Sequence, residues 1–133
     1  MSHPTAATKD YLVLSRGQWD AELPKEAIQR AIDDFYVWYE RGLAEGRMKP
    51  GHRLHAERRR VSGRGVIDGP FAEAKEVIGG YWFIVAASLE EAAAIAAGNP
   101  CLACGLTLEI GELDPERASA WAVTNETPPE FGA

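Results

Sequence analysis

The sequence predicts an α+β fold in which two helices pack on one face of a four-stranded antiparallel sheet. Three observations carry this. Apolar residues recur at helical spacing over 24–45, an alanine-rich segment opens on a capping signal at Ser88, and the apolar runs around these two segments have strand length. The elements follow the order strand, helix, strand, strand, helix, strand, which is the split βαβ, ferredoxin-like arrangement.

The first strand is the apolar run at 11–14, ended by Ser15-Arg16-Gly17. Helix 24–45 repeats Ile28, Ala31, Ile32, Phe35, Tyr39 and Leu43 on one face, with charged residues at other angular positions. Pro24 suits its first turn and Gly46 its stop. Residues 52–61 are extended but polar. Ser62-Gly63 turns the chain, and Gly65-Val66-Ile67 starts the return strand until Asp68-Gly69-Pro70-Phe71 breaks the pattern. Residues 72–76 form a short polar link before 81–86, the most apolar run in the chain. Ser88 with Glu91 three residues on is a capping box for the second helix, which Gly98-Asn99-Pro100 ends. The last strand, 106–110, alternates apolar and polar. Residues 1–8 read as a flexible N-terminus, 9–113 as one domain, and 114–133 as a Pro- and Glu-rich tail docked by Trp121 and Phe131.

About half of the 133 residues are hydrophobic and a quarter charged, which supplies one core and excludes a disordered chain. The net charge of −6 argues against a general nucleic-acid binder. No apolar run has the roughly 20 residues of a membrane span. The first residues lack the pattern of a secretory signal, so the expected location is cytoplasmic, with Cys101 and Cys104 as reduced thiols.

Two helices cover one face of such a sheet, yet 81–86 is apolar at successive positions, whose side chains point to opposite faces. A second copy of the chain, packed sheet to sheet about a two-fold axis, is the expected cover. The tail is the competing one.

The segments Asp68-Gly69-Pro70-Phe71-Ala72-Glu73-Ala74-Lys75-Glu76, Gly79-Gly80-Tyr81, Ser88-Leu89-Glu90-Glu91-Ala92, Asn99-Pro100 and Leu108-Glu109-Ile110 resemble the YCII-related family, in particular its DGPF-motif branch. The likeness is strong over 64–113; over 9–50 only the element order agrees. It implies a subunit that dimerises into an α/β barrel, with a small-molecule cleft near the DGPF turn. Wider members are credited with a His–Asp pair for acid–base chemistry. Genes of the branch often neighbour those of extracytoplasmic-function sigma factors. This chain departs twice. The family's Glu-x-Arg-Pro reads Glu109-Ile110-Gly111-Glu112, and no histidine stands near the first strand or first helix.

Asp68 is the first catalytic candidate, as a general base at a strand end. Its structural reading is a turn residue accepting backbone N–H bonds. His55 is the second, because a polar hairpin returns 54–60 beside 64–68. Its competing reading is an exposed edge-strand histidine. Glu73, Lys75 and Glu76 either line the cleft mouth and bind a polar ligand or form a solvated link. Tyr81 either offers its hydroxyl to the same site or is core with a wet tip. His52-x-x-His55 on a strand points to opposite faces and does not make a metal site. The arginines at 58–60 either hold an anionic ligand or partner, or keep a hairpin from aggregating. Cys101-x-x-Cys104 follows a helix stop rather than opening a helix, so no redox or metal role is assigned.

The expected function is binding of a small molecule by a homodimer, with acid–base chemistry by Asp68 and no cofactor. The alternative is a non-catalytic interaction module, such as an accessory to a sigma factor, touching a protein partner through the arginine hairpin and the acidic tail.

Overall fold

The structure is a computed structural model that describes residues 7–69 and 77–129. Strand β1 (Lys9–Arg16) leads to helix α1 (Lys25–Ala44) and strand β2 (Met48–Arg53). A hairpin of β3 (Arg59–Ser62) and β4 (Gly65–Asp68) follows, then β5 (Ile78–Ala86) and helix α2 (Leu89–Ala96). A 3-10 helix (Pro100–Cys104) and strand β6 (Thr107–Glu112) complete the domain. The main sheet runs β2-β5-β1-β6 and is antiparallel throughout. The α+β expectation, with two helices on a four-stranded sheet, therefore holds.

Both helices carry the chemistry that their ends need. α1 starts after Pro24 and stops in a left-handed turn: Gly46 has φ +76°, Arg47 N–H bonds to the Gly42 carbonyl at 2.9 Å, and Gly46 N–H to that of Leu43 at 3.2 Å. This paired closure is a Schellman motif, and glycine adopts its backbone without strain. At α2 the Ser88 hydroxyl accepts from Glu91 N–H at 3.1 Å, while the Glu91 carboxylate accepts from Ala87 N–H at 3.4 Å. The capping box thus forms, with its carboxylate arm one residue further out than expected.

Alternation along β1 and β5 sends Tyr11, Val13, Trp82, Ile84 and Ala86 to the helix side, all buried. Phe35, Trp38, Tyr39 and Leu43 of α1, with Ala92 and Ala96 of α2, close over them. The predicted apolar stripe of α1 is the stripe that packs. A second cluster joins Ala31, Cys101 and Cys104 with Trp19, Leu23 and Leu106. No helix among the described residues is long and apolar enough to cross a membrane.

Three expectations need correction. The second sheet strand is Met48–Arg53 rather than 52–61, and the chain leaves the sheet after Leu54 N–H bonds to the Gly79 carbonyl at 2.9 Å. A return strand does begin at Gly65, as β4, but it joins no strand of the main sheet: β3 and β4 pair only with each other, as a separate two-stranded sheet. The tail is not docked by Trp121, which is 93% exposed. Phe131 lies outside the described residues. The 3-10 helix was not anticipated; Asn99, a buried polar residue, starts it by accepting from Cys101 N–H at 2.8 Å.

Candidate functional site

The sheet face turned away from the helices is apolar along its centre. Odd-numbered residues of β5 point there, and the register sets Phe83 opposite Leu12, and Tyr81 opposite Leu14. These side chains are half-buried rather than covered. Charged pairs flank the strip: Lys49 meets Asp10 at 2.8 Å and Arg16 meets Glu109 at 3.2 Å. At Gly111, which the register puts opposite Leu12, an added Cβ would meet nothing within 4 Å.

A β-bulge adds a histidine to this face. Lys49 pairs with Phe83 and His52 with Tyr81, so Pro50 and Gly51 together oppose the single residue Trp82. Three residues after Lys49, His52 would point to the helix side in a regular strand; the extra residue turns it back beside Tyr81. The two rings lie 6.2 Å apart at 62°, and Tyr81 makes a second edge contact with Phe83 at 6.0 Å. The bulge needs Gly51, where a Cβ would run into the backbone carbonyl of Tyr81.

The sequence candidates fall around this pair to different degrees. Tyr81 is on the open face, with part of its surface wet. Asp68 ends β4 opposite Arg59, whose Nε reaches its carboxylate at 2.9 Å, and its side chain is 80% exposed. The hairpin register gives Arg59, not His55, the place across from Asp68. His55 sits in the exposed loop after β2 and uses its carbonyl to accept from Arg58 Nε at 2.7 Å. The depression beside it, about 250 Å³, is lined by Arg53, Leu54, His55 and Ala56. Glu73, Lys75 and Glu76 lie outside the described residues.

Sequence reasoning missed His52. The signal was Pro50-Gly51, a pair that a regular central strand excludes and an edge bulge accepts.

Arg58 ties the hairpin to the sheet. Its guanidinium donates to the Ile78 carbonyl at 2.6 Å as well as to His55, and its own carbonyl accepts from Gly69 N–H at 2.7 Å. The base of the hairpin therefore stands at the end of the sheet where His52 and Tyr81 lie.

Both cysteines are buried and free. Burial, with Cys104 beside it, pushes the Cys101 thiol up to about 11, away from the thiolate that redox or metal chemistry requires. Among the described residues no three His, Cys, Asp or Glu side chains are grouped to hold a metal ion.

An imidazole and a phenol in edge contact at the margin of an apolar strip can pack against one side of a planar ring and exchange hydrogen bonds with its polar substituents. A family model described as the YCII-related domain matches residues 10–112. No curated protein matches the chain.

Proposed function

The chain belongs to the YCII-related domain family, and on that premise we propose that it is a homodimer that binds a small aromatic molecule at the His52–Tyr81 end of its open sheet face. In the same reading, Asp68-Gly69-Pro70-Phe71 supports its place in the DGPF-motif branch. The observation that carries the reading is the bulge at Pro50-Gly51, which turns a histidine onto an apolar sheet face beside a half-exposed tyrosine. Residues that only filled a core would have no use for it.

In this reading a second copy lies over Leu12, Phe83 and Val85 and shuts water from the floor of the site. Its dimer closes as an α/β barrel. Tyr81 and His52 grip the ring of the ligand. Asp68, with Glu73, Lys75 and Glu76 from the following link, forms a polar rim. His55 stands outside that rim, and His52 takes its place as partner to any proton transfer by Asp68. Gly111 leaves room on the same face where the family usually carries arginine. The ligand therefore needs no strong anionic group at that position.

The test is a thermal-shift and native mass-spectrometry screen of the purified protein against small phenols and aromatic acids. Binding that disappears in both His52→Ala and Tyr81→Ala supports the site. Unchanged binding in those variants, or no binder at millimolar concentration, rejects it. Turnover of a binder that Asp68→Asn abolishes while affinity holds would assign acid–base catalysis to Asp68; equal turnover would confine Asp68 to binding or to the turn.

A further inference from the structure

Two surfaces of the molecule are apolar and exposed outside the His52–Tyr81 strip. One is the β3–β4 hairpin, where Val61 is 74% and Val66 64% exposed and pair directly across the two strands, with Ile67 exposed on the opposite face. Its surroundings are basic, with Arg58, Arg59, Arg60 and Arg64 against Glu57 and Asp68. The other is a turn in the C-terminal segment, where Trp121 is 93% and Val123 89% exposed. Its surroundings are acidic, with Asp114, Glu116 and Glu126 against Arg117. The turn is built rather than loose. Thr124 N–H bonds to Thr127 Oγ1 at 2.7 Å, Thr127 Oγ1 donates to the Ala122 carbonyl at 3.3 Å, and Trp121 N–H bonds to Ser119 Oγ at 3.2 Å.

We infer that the Trp121 turn of one copy docks on the β3–β4 hairpin of a second copy, and that the contact is exchanged reciprocally across the homodimer. The inference rests on the homodimer proposed above. The two surfaces are complementary in charge, and each offers what the other lacks: a tryptophan face suits an arginine guanidinium, and two valines suit the rest of the ring. An isolated two-stranded hairpin is marginally stable in water, so its apolar surface calls for a cover.

Topology says which copy supplies it. The hairpin leaves the sheet between β2 and β5 at the Arg16 end of β1, and the tail leaves β6 at the Lys9 end. These are diagonally opposite corners, roughly 27 Å apart by strand rise and spacing, a span that the tail covers only near full extension. The eight residue-to-residue steps from Leu113 to Trp121 span at most about 28 Å when fully extended, and a bend at Glu116 shortens them. A chain therefore reaches its own hairpin poorly. Two sheets packed face to face about a two-fold axis that lies between them, perpendicular to the hairpin–tail diagonal, bring each tail corner onto the partner's hairpin corner.

The test co-expresses two differently tagged full-length copies, one Val123→Cys and one Ser62→Cys, and treats the purified mixed species with a short bis-maleimide. Wild type, whose cysteines are buried, is the blank. A covalent pair from the mixture, and none from either variant alone, is the expected result. Trp121→Ala is expected to raise the dimer dissociation constant at least about tenfold, as loss of a tryptophan anchor does. Sedimentation at twice the chain mass without a covalent pair overturns the exchange and leaves the dimer standing. Sedimentation at the single-chain mass overturns both. A cross-link within one chain carrying both substitutions, with no link between chains, also overturns the exchange.

Discussion

Gly51 shows how a single missing methyl group can set a site. Any side chain there meets the backbone of β5 at Tyr81 and Trp82, which cannot swing aside. Gly51→Ala is expected to cost about 1–3 kcal/mol in urea unfolding and to remove ligand binding at His52 with it; an unchanged midpoint would show that β2 yields freely. Burial acts on Cys101 at the same scale. Its thiol, at 9.0 in the unfolded reference, is held at about 11 by burial. The folded state keeps the proton that the unfolded state gives up, so stability from this group is whole below about pH 9 and lost as pH rises toward 11. Unfolding measured across that window should fall more steeply for wild type than for Cys101→Ala; equal slopes would mean the thiol is not desolvated. His52 was not legible in the sequence, because its direction depends on a bulge that only the pairing register reveals.

At the scale of elements, the hairpin stands apart from the main sheet and is tied to it at its base. β3 and β4 join no other strand, and the Arg58 guanidinium anchors their base through the carbonyls of His55 and Ile78. Hydrogen bonds to a charged donor contribute about 1.5–3 kcal/mol each. Arg58→Ala is therefore expected to speed amide exchange over 59–68 while β1 and β5 stay protected; equal protection of the hairpin would show that something else holds it. Helices α1 and α2 were readable because their signals are local: apolar spacing, Ser88 with Glu91, Gly46 at the stop. Between 48 and 68 the turn and the return at Gly65 were readable, but the start of β2 and the separate pairing of the hairpin were not. The strand sequences there are polar and arginine-rich on both sides of the turn, so periodicity could not say which strand joins the sheet and which folds back on itself.

For the whole molecule, the deciding feature is a sheet with one face under helices and the other apolar and half-buried. That imbalance was legible in 81–86, where neighbouring residues are all apolar although only alternate ones face the helices. The proposed cover by a second copy makes a direct prediction. Phe83→Glu, on the open face, is expected to bring the sedimenting mass from twice the 14.5 kDa chain to one chain with secondary structure intact; an unchanged dimer would move the interface elsewhere. The tail was read wrongly for a physical reason: a tryptophan in a polar segment invites docking on its own core, and in the structure it faces outward.

The most direct test is a crystal structure of the protein purified without added ligand. The account predicts two copies packed over Leu12, Phe83 and Val85, with density for a small planar molecule against the His52–Tyr81 pair. A lone chain whose open face is bare, or covered by its own residues 113–129, would contradict it.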